Sequence, residues 1–392
     1  MYRILNKYLC SDEQIYEKSL LFYLKYSELP SFKFVNDCNE PTAIVISINT
    51  VCDVPKDHLE IIKKYAAQNS ENKIIIDVSI EEFVRFPFYN LIDFLHDCNI
   101  DNSHIFIFAG DYDLAEWKRE NNVNLTVIGL QGLEVAYHAF VKSKIDNKST
   151  GHNLYYRKIT PRKLKKHFLS YIKNCRPYRK LFHIFMIENN IYDNSHYSWH
   201  GLREIKPHDL INAKRLNIIS ETKTSLESYN ETHIPLEFPI DGPGEWESFD
   251  LHLECGICLT HDLHCCYENM ALLKSETDFK RIYFTEKTYK PIVTGMPFLT
   301  LGLPYNKSIH EAYGYKAFNE VLGGEGNTVD FKQSIINDLE LLKNLNNLSL
   351  NQLEEILNSE EVLDICKHNQ EHFASMPEIK KLEDQFSKIF DK

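Results

Sequence analysis

Glycine is scarce in this chain: 14 of 392 residues, about half the usual ~7 %. Phosphate cradles built from glycine loops are correspondingly disfavoured, and neither G-x-G-x-x-G nor G-x-x-x-x-G-K-[ST] occurs. A Rossmann dehydrogenase or a P-loop NTPase would lack its fingerprint. A phosphate ligand has to be met instead by Arg, Lys and helix N-termini. Long apolar runs are missing as well. The longest, such as Ala43–Ile46 and Ile105–Ala109, fall far short of the ~18–20 residues that span a bilayer. The opening Met1-Tyr-Arg-Ile-Leu-Asn-Lys-Tyr8 has no apolar region of a secretory signal. These absences predict a cytoplasmic chain with no membrane span. Its ten cysteines then read as reduced thiols and not as a disulfide framework.

What is present is core. A hydrophobic fraction of 43 % with 12 % aromatics excludes disordered and fibrous classes, and the length fits two to three domains. The formal net charge of −12 argues against a protein coated in nucleic acid. That average hides a basic segment. From Lys142 to Lys180 there are thirteen Lys/Arg against one acid, Asp146. The segment carries +12 in 39 residues, so the other 353 sum to −24. Such a stretch attracts phosphates of a nucleotide or of a nucleic-acid backbone, unless it is a solvated interdomain linker.

Strand and helix patterns alternate through the first ~140 residues. Ala43–Asn49, Lys73–Val78, Ile105–Ala109 and Leu125–Gly129 read as strands; His58–Gln68, Asn90–Cys98 and Leu114–Arg119 read as helices. Continuous apolar strands separated by helices imply a parallel sheet covered on both faces. After the basic stretch the alternation resumes. Strands are expected at His167–Ile172, Leu253–Thr260, Cys265–Glu268 and Phe298–Leu301, and helices at Tyr178–Asn189, opened by Pro177, and Lys287–Thr294. The polar, proline-containing region 205–247 reads as irregular. Beyond Val329 the chain is amphipathic and helical, with Leu339, Leu341, Leu342 and Leu345 at helical spacing and Ser349-Leu-Asn-Gln352 in the form of a capping box. The expected organisation is an N-terminal α/β domain (1–140), a basic linker (141–165), a C-terminal α/β domain (166–330) and C-terminal helices packing back on the domains (331–392).

The most informative stretch is Cys266-Tyr-Glu-Asn269 followed by Thr285-Glu-Lys-Thr-Tyr-Lys-Pro-Ile-Val-Thr-Gly-Met-Pro-Phe-Leu-Thr-Leu-Gly302. A strand would deliver Tyr267 and Glu268 to a sheet edge. Thr285 stands where an N-cap would, with Glu286 and Lys287 in the first helical turn. A carboxylate there can accept two ribose hydroxyls while the adjacent ammonium meets a phosphate. Gly295-Met-Pro297 would end the helix and turn into the next strand.

This pattern resembles the donor-binding motif of α1,3-fucosyltransferases and of related virus- and phage-encoded glycosyltransferases with the GT-B fold, in which two Rossmann-like domains face a central cleft. Those families pair an F/Y-E-N or S-E-T strand end with a T-E-K helix start, then Pro, Gly, Pro and a small-residue strand. This chain supplies Tyr267-Glu268-Asn269, Thr285-Glu286-Lys287, Lys290-Pro291-Ile292, Gly295, Pro297-Phe298 and Gly302. Gly314-Tyr315-Lys316-Ala317-Phe318 and Asn174-Cys-Arg-Pro-Tyr-Arg179 also resemble segments of the viral group. The likeness covers roughly 165–330. It implies that Glu286 binds the donor ribose and that Lys287 with Arg176 or Arg179 neutralises the diphosphate as it leaves. The co-substrate is then a nucleoside diphosphate sugar, of UDP or GDP type, and no further cofactor or metal is required.

The acceptor base has to be a carboxylate or His from the N-terminal domain. Asp111 and Asp113 follow the strand Ile105–Ala109, and Asp77 ends another; carboxyl-end loops of parallel strands are where functional groups collect. Asp111-Tyr-Asp113 also has the form of a metal-binding D-x-D triplet, but nothing else supports a metal. Cys255-x-x-Cys258-x-x-His261-x-x-His264 has soft ligands at zinc-like intervals. In a strand, however, a spacing of three points the two thiols to opposite faces, which favours buried structural Cys. The acceptor divides between a hydroxymethylated base such as hydroxymethylcytosine in DNA, met through 142–180 in a phage-type enzyme acting in the host cytoplasm, to which the sequence leans slightly, and a lipopolysaccharide or other surface glycan. A non-catalytic nucleic-acid-binding module and a catalytically dead scaffold are the readings from other classes.

Overall fold

The structure is a computed structural model that describes residues 1–7, 9–10, 24, 30–47, 54–78, 89–110, 125–130, 134–135, 158–172, 177–199, 205–215, 217–219, 225–231, 252, 254–260, 284, 286–302, 306–328 and 330–390. The chain divides into two compact units, 1–152 with 280–286 and 376–392, and 153–279 with 287–375.

In the first unit, β1 (Tyr2–Leu5), β2 (Leu9–Cys10), β3 (Phe32–Val35), β4 (Ala43–Ser47), α1 (Lys56–Ala66), β5 (Lys73–Val78), α2 (Tyr89–Asp97), β6 (Ile105–Ala109) and β7 (Thr126–Gly129) follow one another. The strands form one sheet in the order β3-β1-β4-β5-β6-β7, with β2 beside β4; every pairing is parallel. Leu9 comes five residues after Ile4, whereas their partners Ile46 and Ala43 are three apart. The first strand therefore carries two extra residues, which interrupt it as a bulge would.

Alternation explains why these strands are apolar throughout. Ile44, Ile46, Ile74, Ile76, Ile105 and Ile107 face α1 and α2, where Ile62, Leu91 and Leu95 complete the layer. Val45, Ile75, Phe106 and Phe108 point the other way and are covered by Ile379, Leu382, Phe386 and Ile389 of the C-terminal helix Pro377–Phe390. A strand buried on both faces cannot alternate polar and apolar residues.

The second sheet is built from β8 (Lys166–Ile172), α3 (Pro177–Glu188), β9 (Ser195–Trp199), α4 (Pro207–Arg215), α5 (Leu226–Glu231), β10 (Cys255–Thr260), α6 (Glu286–Val293) and β11 (Phe298–Thr300). Its order is β11-β10-β8-β9, again wholly parallel. After it come α7 (Asn306–Ala312), α8 (Phe331–Asn346), α9 (Leu350–Leu357) and α10 (Glu360–Ala374). The approach of α9 to β10 requires Gly256, where a Cβ would meet Leu357 Cδ1 at 2.9 Å and the His167 carbonyl at 3.0 Å.

The protein is thus α/β, with two parallel sheets and a helical C-terminus. The expected strands and helices among the described residues occur to within two residues at their ends. The leucines 339, 341, 342 and 345 are buried. The capping box forms, with Gln352 N–H donating to Ser349 Oγ and Ser349 N–H to Gln352 Oε1. The expected elements Leu114–Arg119 and Cys265–Glu268 lie outside the described residues. One expectation is corrected, and some strands have no counterpart in the sequence reading. Strands β1 and β3 gave no apolar run to read, because Arg3 and Lys33 interrupt them. The region 205–247, expected to be irregular, contains α4 and α5. Pro207 opens α4 at the position where a missing N–H costs nothing, and Asp209 near its start with Lys214 and Arg215 at its end suit the helix dipole.

Scarce glycine has a structural counterpart. Three helical segments close through a left-handed asparagine, Asn99, Asn190 and Asn217, with φ of 59°, 53° and 57°. Each makes the paired closing bonds of a Schellman turn, as in Asn190 N to Ile187 O and Ile191 N to Met186 O.

Candidate functional site

In the second sheet β8 comes first in the chain and lies between β9 and β10. Strand order reverses there, and parallel sheets take ligands at the carboxyl edge beside such a reversal. The elements leaving that edge are α3 after β8 and α6 between β10 and β11. Helix α6 begins at Glu286, immediately after Thr285, as the motif predicts. Lys287 and Lys290 are partly exposed, whereas Thr288, Tyr289, Ile292 and Val293 are buried. Three residues apart, the two lysines share one side of the helix. A short helix with five buried side chains in its last six residues is held by its packing, so its cations extend from a fixed frame.

The far end of α6 is fixed by a full set of hydrogen bonds. Gly295, at φ 60°, donates its N–H to the Ile292 carbonyl and Met296 to the Pro291 carbonyl, another Schellman closure. The Val293 carbonyl accepts Gln370 Nε2 at 2.8 Å from α10. The Thr294 and Gly295 carbonyls accept Arg162 Nη2 at 3.4 and 2.6 Å. The same guanidinium reaches the carbonyls of His252 at 3.0 Å and Cys255 at 3.5 Å. Backbone carbonyls beyond a helix end need such partners, and a cation there also meets the negative pole of the dipole. Arg162 is itself held, its N–H donating to Asn358 Oδ1 and its carbonyl accepting Asn358 Nδ2.

Arg162 shows what becomes of the basic segment. Seven of its thirteen cations are described. Lys163 pairs with Glu354 at 3.0 Å, Lys165 with Glu254 at 2.6 Å and Lys180 with Asp209 at 3.1 Å. Lys166 donates to the Asp193 carbonyl, and Arg179, in the first turn of α3, is buried. Lys158 is exposed. Five of the seven, Arg162, Lys163, Lys165, Lys166 and Lys180, are engaged by the protein's own acids and carbonyls.

Of the other expected site residues, Arg176, Tyr267, Glu268, Asn269, Thr285, Asp111 and Asp113 lie outside the described residues, as does the side chain of Glu286. Asp77 is buried near the end of β5 and accepts Ser47 Oγ at 3.1 Å from the neighbouring strand. Both stand on the face covered by the C-terminal helix, since they follow Ile75 and Val45 by two residues. Cys255 and Cys258 are buried in β10, and burial pushes the Cys255 thiol up to about 12. His261, His264, Cys265 and Cys266 are outside the described residues. Among the described residues no group of three His, Cys, Asp or Glu is placed to hold a metal ion, and no helix is long and apolar enough to cross a membrane.

Two partly exposed lysines thus stand on one side of a packed helix that begins at the carboxyl edge of a parallel sheet. Sequence reading missed Arg162 and Ser47 because their roles depend on residues 90 to 196 positions away for the first and 30 for the second. It also missed Asp338, which bonds the Gly302 amide. Comparison with protein-family models, curated proteins and solved structures gives no match to this chain.

Proposed function

We propose that the chain is a glycosyltransferase of GT-B type that binds a nucleoside diphosphate sugar at the carboxyl edge of the second sheet and moves the sugar to an acceptor hydroxyl. The observation that carries the reading is helix α6. It starts at the T-E-K motif, directs Lys287 and Lys290 from one partly exposed side, and is locked at its other end by Arg162 and Gln370.

In this reading Glu286 accepts the ribose hydroxyls and Lys287 faces the diphosphate, with Arg176 or Arg179 beside it. Tyr267, Glu268, Asn269, Thr285 and Lys290 complete the donor site. The transferred sugar develops positive charge while the leaving diphosphate gains negative charge. Fixed cations stabilise that leaving group without a metal, each removal costing about 2–4 kcal/mol of transition-state stabilisation. Asp77, Asp111 or Asp113 takes the acceptor proton.

For the acceptor we favour a glycan hydroxyl over a hydroxymethylated DNA base. Burial of Arg162, Arg179 and Lys180 withdraws cations that a DNA backbone would need, and the chain as a whole carries −12. The test is transfer from labelled UDP- and GDP-sugars to lipopolysaccharide cores and, in parallel, to hydroxymethylcytosine DNA, read by mass spectrometry. Sugar on the glycan alone supports the reading, sugar on DNA moves the acceptor, and transfer to neither with any donor counts against a glycosyltransferase.

A further inference from the structure

The exit of β11 is gripped from two sides. The Thr300 carbonyl accepts Asn306 Nδ2 at 3.0 Å from the start of α7, and the Gly302 N–H donates to Asp338 Oδ2 at 2.7 Å from α8. The other carboxylate oxygen, Oδ1, accepts Asn319 Nδ2 at 3.1 Å. Gly302 sits at φ 71°, and a Cβ there would meet Ile335 Cγ1 at 3.2 Å. The helix bearing Asp338 thus packs directly on this turn, which is the last position of the donor motif.

Asp338 is buried, and no cation pairs with it among the described residues. Two opposed effects act on it. One N–H donor is aimed at each oxygen, a pattern that suits the ionised carboxylate, which only accepts. Burial without a counter-ion disfavours that same anion and pushes the carboxyl up to about 7. The titratable groups on the surrounding elements leave this balance in place. His310 of α7 is held down to about 4 by its burial. Glu320 is tied to Lys307, and Glu325 is hydrogen-bonded by Thr328 and Asn337. Lys332 and Glu340 on α8 are exposed.

We propose that Asp338 is a positioning residue for the donor site: its ionised form clamps the Gly302 amide and sets the exit of β11 in the shape that receives the nucleotide, so donor binding is coupled to its protonation. The proposal rests on the donor reading above. Protonation converts one oxygen into a hydroxyl donor facing another donor. The Asn319 amide must then rotate or its bond is lost, and the clamp on Gly302 loosens. With a midpoint near pH 7, the ionised fraction falls from about 0.9 at pH 8 to about 0.1 at pH 6. If only the ionised form is competent, affinity falls about tenfold between them.

Two measurements on the full chain test this. In glycine-labelled protein, the Gly302 amide resonance should titrate with a midpoint near pH 7 in wild type and stay put between pH 5.5 and 8.5 in Asp338→Asn. Calorimetric titration with UDP, GDP, CDP and ADP at pH 6 and 8 should show the tenfold change in wild type beyond that in Asp338→Asn. The variant supplies the baseline because the terminal phosphate itself titrates near pH 6. A wild-type Gly302 signal that does not move overturns the proposal without recourse to the variant. A moving signal with pH ratios equal in the two proteins overturns the coupling. Absence of binding by both proteins at both pH values refutes the donor reading and the coupling with it, while the Gly302 titration still decides whether Asp338 clamps the turn.

Discussion

Replacing Arg162 by Met keeps the apolar stem and removes the guanidinium, which makes it a sharp probe of how α6 is held. Two of the four contacts are well formed, to Gly295 O at 2.6 Å and His252 O at 3.0 Å; those to Thr294 O and Cys255 O, at 3.4 and 3.5 Å, are marginal. A hydrogen bond to a charged group contributes roughly 1.5–3 kcal/mol, so the two short ones together give roughly 3–6 kcal/mol. That is a large part of the roughly 5–15 kcal/mol that holds a domain folded. The four carbonyls would also be left buried without their donor. Urea unfolding of R162M should show a loss of about 4 kcal/mol, and amide exchange should accelerate over 290–296. Arg162→Lys, whose single ammonium reaches fewer carbonyls, should fall between. Lys163→Met is the neighbouring control, because its side chain is 80 % exposed and its removal leaves no buried group unpaired. Stability and exchange of R162M equal to those of the control would refute the assignment of Arg162 as the anchor of α6.

Three further outcomes are expected. Burial holds His183 and His310 down to about 4, below the ordinary His value near 6.5. Their contribution is therefore complete above pH 6.5 and lost as pH falls towards 4, about 3 kcal/mol each; stability measured across that window should lose one proton of slope in His310→Gln. Gly314 and Gly323 both have positive φ, 82° and 88°, but a Cβ at 314 would overlap the His372 ring while one at 323 meets nothing within 4 Å. Gly323→Ala should cost about 1 kcal/mol, the backbone term alone, and Gly314→Ala clearly more by the same thermal-unfolding assay. Phe386 packs on the rings of Tyr2, Phe32, Phe108 and Phe390, so Phe386→Ala should destabilise the first unit by about 3–5 kcal/mol, read by denaturant unfolding.

The elements legible in the sequence are those whose burial is local in pattern. Ile74-Ile75-Ile76 and Ile105-Phe106-Ile107-Phe108 reveal themselves because both faces of β5 and β6 are covered. Strand β3 is short and has Lys33 exposed in its middle, so only its pairing with β1 identifies it. The start of α6 was readable from Thr285-Glu-Lys, since helix starts are written in adjacent residues. The grip on its other end was not. Nothing near Arg162 marks it among thirteen basic residues, because its partners His252, Cys255, Thr294, Gly295 and Asn358 reach it only through the fold. Asp338 was hidden likewise, as one acid on an amphipathic helix whose buried neighbours, Gly302 and Asn319, lie 36 and 19 residues away.

A donor nucleotide bound at the start of α6 should show in thermal unfolding with UDP, GDP, CDP and ADP in turn. A ligand at 100 times its dissociation constant stabilises by about 2.7 kcal/mol. One of the four should raise the midpoint of wild type, and the rise should disappear in Glu286→Ala and shrink in Lys287→Ala. Unchanged midpoints with all four nucleotides, or a rise that Glu286→Ala leaves intact, would contradict binding at that site.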